Sequence, residues 1–285
     1  MMTNGLTKLV LDNGQYHHLR DLLDYLEHCE NLEHLKIELP NLHGIAPASR
    51  IVSLRNLRKL ELVRSPPTAL HHLSFPPSTD LTIQSDTMGY QEYPLVDIWA
   101  QYRPFHIFES RTIKDIKMTF TGPGCVVGFS GSHLALTVEA RTNPFLFSSF
   151  HSDCLNSFQS LPIKTVESFE FAQPPPYLLI LTGTPRQQSC TRLLTQMPAL
   201  ERIALDIAAA PFFIRALEPG DGDLLCPKLQ EFILIQRVGE HEVDVWNSLL
   251  TLSNQRKDHG HPIVCSVASY DSLNPGNIVR PERVV

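Results

Sequence analysis

Histidine is the residue type in this sequence best placed to do chemistry, and three stretches concentrate it: His17-His18, His71-His72 and His259-Gly260-His261. A structural zinc site needs four converging Cys, His or carboxylate ligands, and none of these stretches has a third ligand at helical or turn spacing. They are expected to be solvent-exposed, with no metal and no other cofactor. The cluster Gly122-Pro123-Gly124-Cys125-Val126-Val127-Gly128 has the glycine density of a phosphate loop. Its G-x-G-x-x-x-G spacing carries no Lys-Ser or Lys-Thr to reach a phosphate and its magnesium. Gly128-Phe129-Ser130-Gly131-Ser132 misses the G-x-S-x-G nucleophile elbow by one position. That elbow also needs a strand running into a helix, whereas a second strand is expected to follow here. Without a convergent nucleophile, base and orienting group, no catalytic residue is assigned and the chain is not expected to be an enzyme.

The elements themselves carry the stronger signal. Leu32-Glu33-His34-Leu35-Lys36-Ile37 and Leu57-Arg58-Lys59-Leu60-Glu61-Leu62 are one L-x-x-L-x-L phrase repeated after 25 residues, each behind a polar dipeptide, Glu30-Asn31 or Arg55-Asn56. That period marks leucine-rich repeats. The predicted fold is α/β: an irregular leucine-rich-repeat solenoid, a horseshoe of the ribonuclease-inhibitor kind. Its parallel sheet is concave, and helices and loops lie on the convex side. One strand with three apolar side chains has nothing to bury them against. Stacked strands supply the missing wall, at about 1.5–3 kcal/mol per buried Leu-class side chain.

Strand starts are expected near 6, 32, 57, 78, 113, 133, 166, 200, 229 and 261, at uneven intervals of about 20 to 35 residues. Leu19, Leu22, Leu23 and Leu26 predict a helix within Tyr16 to Cys29. Further helices are expected over Tyr93 to Phe108, Phe145 to Phe158, Arg186 to Met197, Pro211 to Leu217 and Val243 to Lys257. A glycine-rich loop should join the strands near 113 and 133. Trp99 and Trp246 fall in apolar helical stripes and are expected in the core. The repeat domain is expected over 1–273, with a tail, 274–285, that lacks order because it has two prolines, mixed charge and no periodic pattern.

In such strands the polar residues between the leucines face the concave surface. His34, Lys36, Lys59, Glu61, Asp115, Lys117, Glu170 and Arg202 are therefore the candidate binding residues, and the expected partner is another protein. With 24 basic against 30 acidic residues, net −6, nucleic acid is not an expected partner. Nine acidic against four basic residues lie between Glu201 and Asp244, which reads as a solvated loop or as a surface for a basic partner. The six cysteines form no C-x-x-C pair and no N-x-[ST] acceptor occurs, as in a reducing compartment with the cysteines packed as small hydrophobes. No run approaches the roughly 20 apolar residues of a membrane span. A soluble cytoplasmic or nuclear protein, with no membrane partner, is expected.

The phrases Leu-Leu-Asp-Tyr-Leu-Glu-His-Cys-Glu-Asn-Leu-Glu-His-Leu-Lys-Ile (22–37), Leu-Ser-Phe-Pro-Pro-Ser-Thr-Asp-Leu-Thr-Ile (73–83), Met-Pro-Ala-Leu-Glu-Arg-Ile-Ala-Leu (197–205) and Cys-Pro-Lys-Leu-Gln-Glu-Phe (226–232) add a family to the pattern. Over most of its length the chain resembles the leucine-rich-repeat region of fungal F-box proteins. The resemblance implies the substrate-recognition arm of a ubiquitin ligase. The F-box, a helical module ahead of the repeats, is not expected within this sequence, since the first repeat is expected to begin at Leu6. Binding of the ligase adaptor is expected only if an F-box lies upstream. The alternative is a free-standing leucine-rich-repeat scaffold unrelated to ubiquitin transfer.

Overall fold

The structure is a computed structural model. It describes residues 5–12, 18–40, 42–44, 46–47, 49–65, 67–86, 111–121, 124–141, 155–156, 158, 161–172, 186–220, 224–236, 243–270 and 278–283. In chain order the elements are β1 (Lys8–Asp12), α1 (Leu19–Leu26), β2 (His34–Glu38), β3 (Val52–Ser53), β4 (Lys59–Val63), β5 (Leu73–Ser74), β6 (Asp80–Asp86), β7 (Ile113–Thr121), β8 (Gly124–Gly131), β9 (Leu134–Arg141), β10 (Ser168–Ala172), α2 (Gln187–Thr195), β11 (Arg202–Asp206), α3 (Ala210–Leu217), β12 (Glu231–Gln236), α4 (Val243–Asp258), β13 (Val264–Tyr270) and β14 (Ile278–Arg283). The chain is α/β, with mostly parallel sheet and few helices. It divides into two compact units, Met1–Ile113 with Val126–Arg141, and Lys114–Cys125 with Thr142–Val285.

In the first unit the strand order is β1-β2-β4-β6-β9-β8, and β1, β2, β4, β6 and β9 run parallel. Their register lines up Leu9, Leu35, Leu60, Leu81 and Leu134 in one row, and Leu11, Ile37, Leu62, Ile83 and Leu136 in the next. Side chains alternate along a strand, so both rows lie on one face and form a single wall of leucine-class residues. From Leu35 and Ile37 onward every member is at most 4% exposed. Helix α1 buries Leu19, Leu22, Leu23 and Leu26, the i, i+3, i+4, i+7 stripe of an amphipathic helix. It has no side-chain cap; instead the Leu19 amide donates to the His43 carbonyl at 2.8 Å.

In the second unit β7, β10, β11, β12 and β13 are parallel and β14 pairs antiparallel with β13. Ile116, Phe169, Ile203, Phe232 and Cys265 form one register row, and Met118, Phe171, Leu205 and Leu234 belong to the next. Phe213 of α3 lies 5.9 Å, centroid to centroid, from both Phe169 and Phe171, so this helix seats on β10 through aromatic contacts.

A repeated hydrogen-bond device enters four of the strands, β2, β4, β11 and β12. The Thr7 carbonyl accepts the Glu33 and His34 amides, and the Glu33 carbonyl accepts those of Arg58 and Lys59. In the second unit the Glu167 carbonyl accepts Glu201 and Arg202, and the Glu201 carbonyl accepts Gln230 and Glu231, all at 2.7–3.0 Å. The first leucine of each phrase (Leu32, Leu57, Leu200, Leu229) is buried ahead of this point. The strands therefore start two residues later than the phrases predict.

Other expectations shift as well. The helix predicted within 16–29 is Leu19–Leu26, and a 3-10 helix, Pro67–His72, leads into β5, which pairs in parallel with β3. The glycine-rich loop is instead strand β8, a neighbour of β9. Gly131 explains why: an added Cβ would stand 1.8 Å from the Thr112 carbonyl oxygen, so glycine permits the chains to approach where loop flexibility was expected. Within the tail expected to lack order, Ile278–Arg283 forms β14, because backbone pairing with β13 needs no apolar period. The helix expected over 93–108 lies outside the described residues, as does most of the one over 145–158.

Candidate functional site

The candidate residues of the first unit come together. His34 and Lys36 on β2 stand in register beside Lys59 and Glu61 on β4. Glu61 accepts from His34 Nε2 at 3.3 Å and pairs with Lys59 along its own strand. Lys36 Nζ reaches Glu38 at 3.0 Å, and Arg64 pairs with the same carboxylate. The Lys59 hydrogen bond, aided by His34, holds the Glu61 carboxyl below the ordinary carboxylate value; Lys36 and then Arg64 do the same for Glu38. Side-chain exposures of 21–46% across His34, Lys36, Lys59 and Glu61 leave these groups reachable by a partner while their stems pack on the sheet.

In the second unit Lys117 pairs with Glu170 at 2.8 Å across the β7–β10 register, and Arg202 reaches Glu231 at 3.4 Å across β11–β12. Lys114 joins Glu167 at 2.9 Å, which raises the lysine above its ordinary value. Asp115 is exposed, in register with Ser168. The expectation of a polar face then fails along the same rows. Ala204, Ile233 and Ser266 continue the row of Lys117 and Glu170, and Asp206, Ile235 and Ala268 form a neighbouring row; all are at most 4% exposed. Ser266 Oγ has no hydrogen-bond partner, and Asp206 Oδ1 accepts the Ala208 amide at 2.9 Å. The physical reason stood in the sequence: Ile203 to Leu205 and Phe232 to Ile235 are unbroken apolar runs, the mark of parallel strands covered on both faces. The acidic stretch from Glu201 to Asp244 is likewise no uniform patch, since Asp206 is buried and Glu231 is paired.

One feature of the first unit escaped the sequence reading. An open groove of about 580 Å³ lies at the N-terminal ends of β1, β2, β4 and β6, lined among others by Thr7, Asn31, Glu33, Asn56 and Arg58. Arg58 stands 3.7 Å from Glu33, and Asn56 Nδ2 donates to the Glu30 carbonyl at 3.1 Å. Its signal was the recurring polar dipeptides Glu30-Asn31 and Arg55-Asn56, read as turn punctuation alone.

The histidines are not uniformly exposed. His72 is buried, with Nδ1 2.9 Å from the Arg50 carbonyl, because it points inward from the 3-10 helix; burial and the neighbouring His72 lower the pKa of His71. His259 and His261 meet the carbonyls of Gln255 and Pro227. Among the described residues no three His, Cys, Asp or Glu side chains are grouped to hold a metal. Cys29, Cys125, Cys190, Cys226 and Cys265 are buried thiols outside any disulfide, and burial pushes the Cys190 and Cys226 thiols up to about 12. Trp246 is half-buried on α4 rather than in the core, and Trp99 lies outside the described residues. Among the described residues no helix is long and apolar enough to cross a membrane. Compared with protein-family models, with curated proteins and with solved structures, the chain matches none.

Proposed function

We propose that the chain is a non-enzymatic protein-binding module built as an irregular leucine-rich-repeat solenoid. The observation that supports it best is the charged face of β2 and β4. Four candidate residues lie there on two adjacent strands, half-exposed and held in fixed geometry by the pairs at Glu38 and Glu61. Exposed pairs of this kind are screened by solvent and contribute little to stability, so the fold depends on them only weakly. Their use is to present an ordered pattern of charge to a partner, where complementarity sets specificity and association rate.

Under this reading the partner is a protein with its own mixed-charge surface. The resemblance to F-box repeat regions makes a ubiquitin-ligase substrate the leading candidate and a scaffold partner the alternative. The test is affinity capture with the immobilised full chain, run beside Lys36→Glu, Lys59→Glu and Lys117→Glu variants of verified fold. A protein retained by the wild type and lost, by tenfold or more in affinity, from Lys36→Glu or Lys59→Glu is the expected result, while Lys117→Glu reports separately on the second unit. If every captured protein binds Lys36→Glu and Lys59→Glu as it binds the wild type, the face of β2 and β4 is not the binding surface. Capture of the cullin-ligase adaptor by a longer chain that carries an upstream F-box, and not by this chain alone, favours the ligase reading over the scaffold.

A further inference from the structure

Strand β1 ends the order of the first unit's sheet: among the described strands it pairs only with β2. Its outer edge therefore presents alternate amides and carbonyls with no strand beside them, the template on which another chain adds. The leucine rows are also incomplete at this edge. Leu9 is half-exposed and Leu11 is 9% exposed, whereas the members beyond them are at most 4% exposed, and Val10 on the other face is 44% exposed.

The charges show what fits there. Directly paired residues of opposite charge are how the second unit uses its strands, as in Lys117–Glu170 and Arg202–Glu231. Lys8 and Asp12 are both exposed, and among the described residues neither makes an ion pair. Their neighbours on the inner side are His34 and Glu38, which satisfy neither charge.

We propose that β1 pairs antiparallel with the β1 of a second copy, about a twofold axis normal to the sheet at Val10. The strand reads Lys-Leu-Val-Leu-Asp, and reversed against itself it is complementary at every position. Lys8 meets the second copy's Asp12, Leu9 meets its Leu11, and Val10 meets Val10. Such an isologous contact closes on itself, so it yields a dimer and no fibre. It also extends both leucine rows across the junction on the same side of the sheet, as alternation along a strand requires. An edge of five residues buries less area than a standard stable interface, so the association is weak and concentration-dependent.

Sedimentation velocity of the full chain, from about 1 μM to about 0.5 mM, brackets such an affinity. The wild type is expected to shift from monomer to dimer across that range. Lys8→Asp and Asp12→Lys each turn two symmetric attractions into repulsions, so each should weaken the dimer about tenfold or more. The double reversal restores both pairs and should return the dimer to near wild-type strength. Both sites are exposed, so unchanged thermal unfolding confirms that the variants fold. A wild type that stays monomeric throughout overturns the proposal and leaves the edge to an extended segment of some other protein. A dimer insensitive to the single reversals, or not rescued by the double one, overturns it too.

Discussion

The Leu39 amide donates to Ser65 Oγ at 2.8 Å across 26 residues of sequence, and that hydroxyl donates in turn to the Ile37 carbonyl, 3.1 Å away. Ser65 follows β4 and is 5% exposed, so it satisfies the chain leaving β2 where the ladder between those strands ends. Ser65→Ala should cost about 1–3 kcal/mol, because the Leu39 amide would stay buried without an acceptor. Urea denaturation measures this. A loss under about 0.5 kcal/mol would mean that water replaces the hydroxyl.

Leu60→Ala and Ile203→Ala should each cost about 2–5 kcal/mol. Both side chains are fully buried in the middle of a register row, between Leu35 and Leu81 and between Phe169 and Phe232. Neighbours on parallel strands are held by backbone pairing and move little to fill a cavity. Chemical denaturation of each variant decides the point.

These two positions were legible from the phrase around them, since Leu57-x-x-Leu60-x-Leu62 fixes which residues share a face. The strand order was readable only where one phrase follows another: β1-β2-β4-β6 and β10-β11-β12-β13 are neighbours as the phrases imply, whereas β6 pairs with β9 and not with the next strand in the chain, β7. What the phrase hides is where pairing begins, because Leu32 and Leu57 are as buried as strand residues while their backbone still belongs to the turn. The candidate site was half legible. Between leucines that alternate with charges, as in His34 to Glu38, the outward residues are exposed in part; where Phe232 to Ile235 abandon alternation, the outward residues are core. The groove and β8 were missed because polar dipeptides and glycines signal turns more often than surfaces or close packing.

Acid should weaken the fold through Glu38 and Glu61. Both carboxyls titrate lower in the folded chain than their ordinary value of 4.5, through hydrogen bonds from Lys36 and Lys59 first of all. A depressed folded value means that the unfolded chain binds the proton more readily, so their contribution is complete above about pH 5 and is lost as pH falls through the lowered values. Glu38→Gln and Glu61→Gln should flatten the acid limb of the urea midpoint measured against pH. An unchanged slope in both would place the acid sensitivity elsewhere.

Gly131→Ala should destabilise the chain by about 1–3 kcal/mol or more, since the new methyl group would meet the Thr112 carbonyl oxygen at 1.8 Å, and backbone atoms cannot rotate aside. Gly220→Ala serves as the control, because nothing lies within 4 Å of its added Cβ. Thermal melts of the two variants should separate clearly. Equal melts would mean that the strand containing Gly131 shifts without cost.

Arg256 tests how a charge survives in a core. It occupies the stripe of α4 that also buries Val245, Leu249 and Leu252, and its guanidinium donates to the carbonyls of Leu225 at 3.0 Å and Cys226 at 2.8 Å, in the segment leading to β12. Burial pushes its pKa below the ordinary arginine value, and Nε has no partner, so the charge itself is costly. The carbonyls gain what the charge loses: Cys226 has φ +48 and is 2% exposed, a turn that a two-pronged donor pins in place. Arg256→Met keeps the volume and removes the charge, yet should still cost about 1–3 kcal/mol, because two carbonyls lose their donors. Arg256→Lys should not recover this, since one ammonium lacks the planar fork that reaches both oxygens. Chemical denaturation of the pair settles it: a methionine variant as stable as the wild type would show that the turn at Cys226 holds without the arginine, and a lysine variant as stable would show that position, rather than the fork, is what matters.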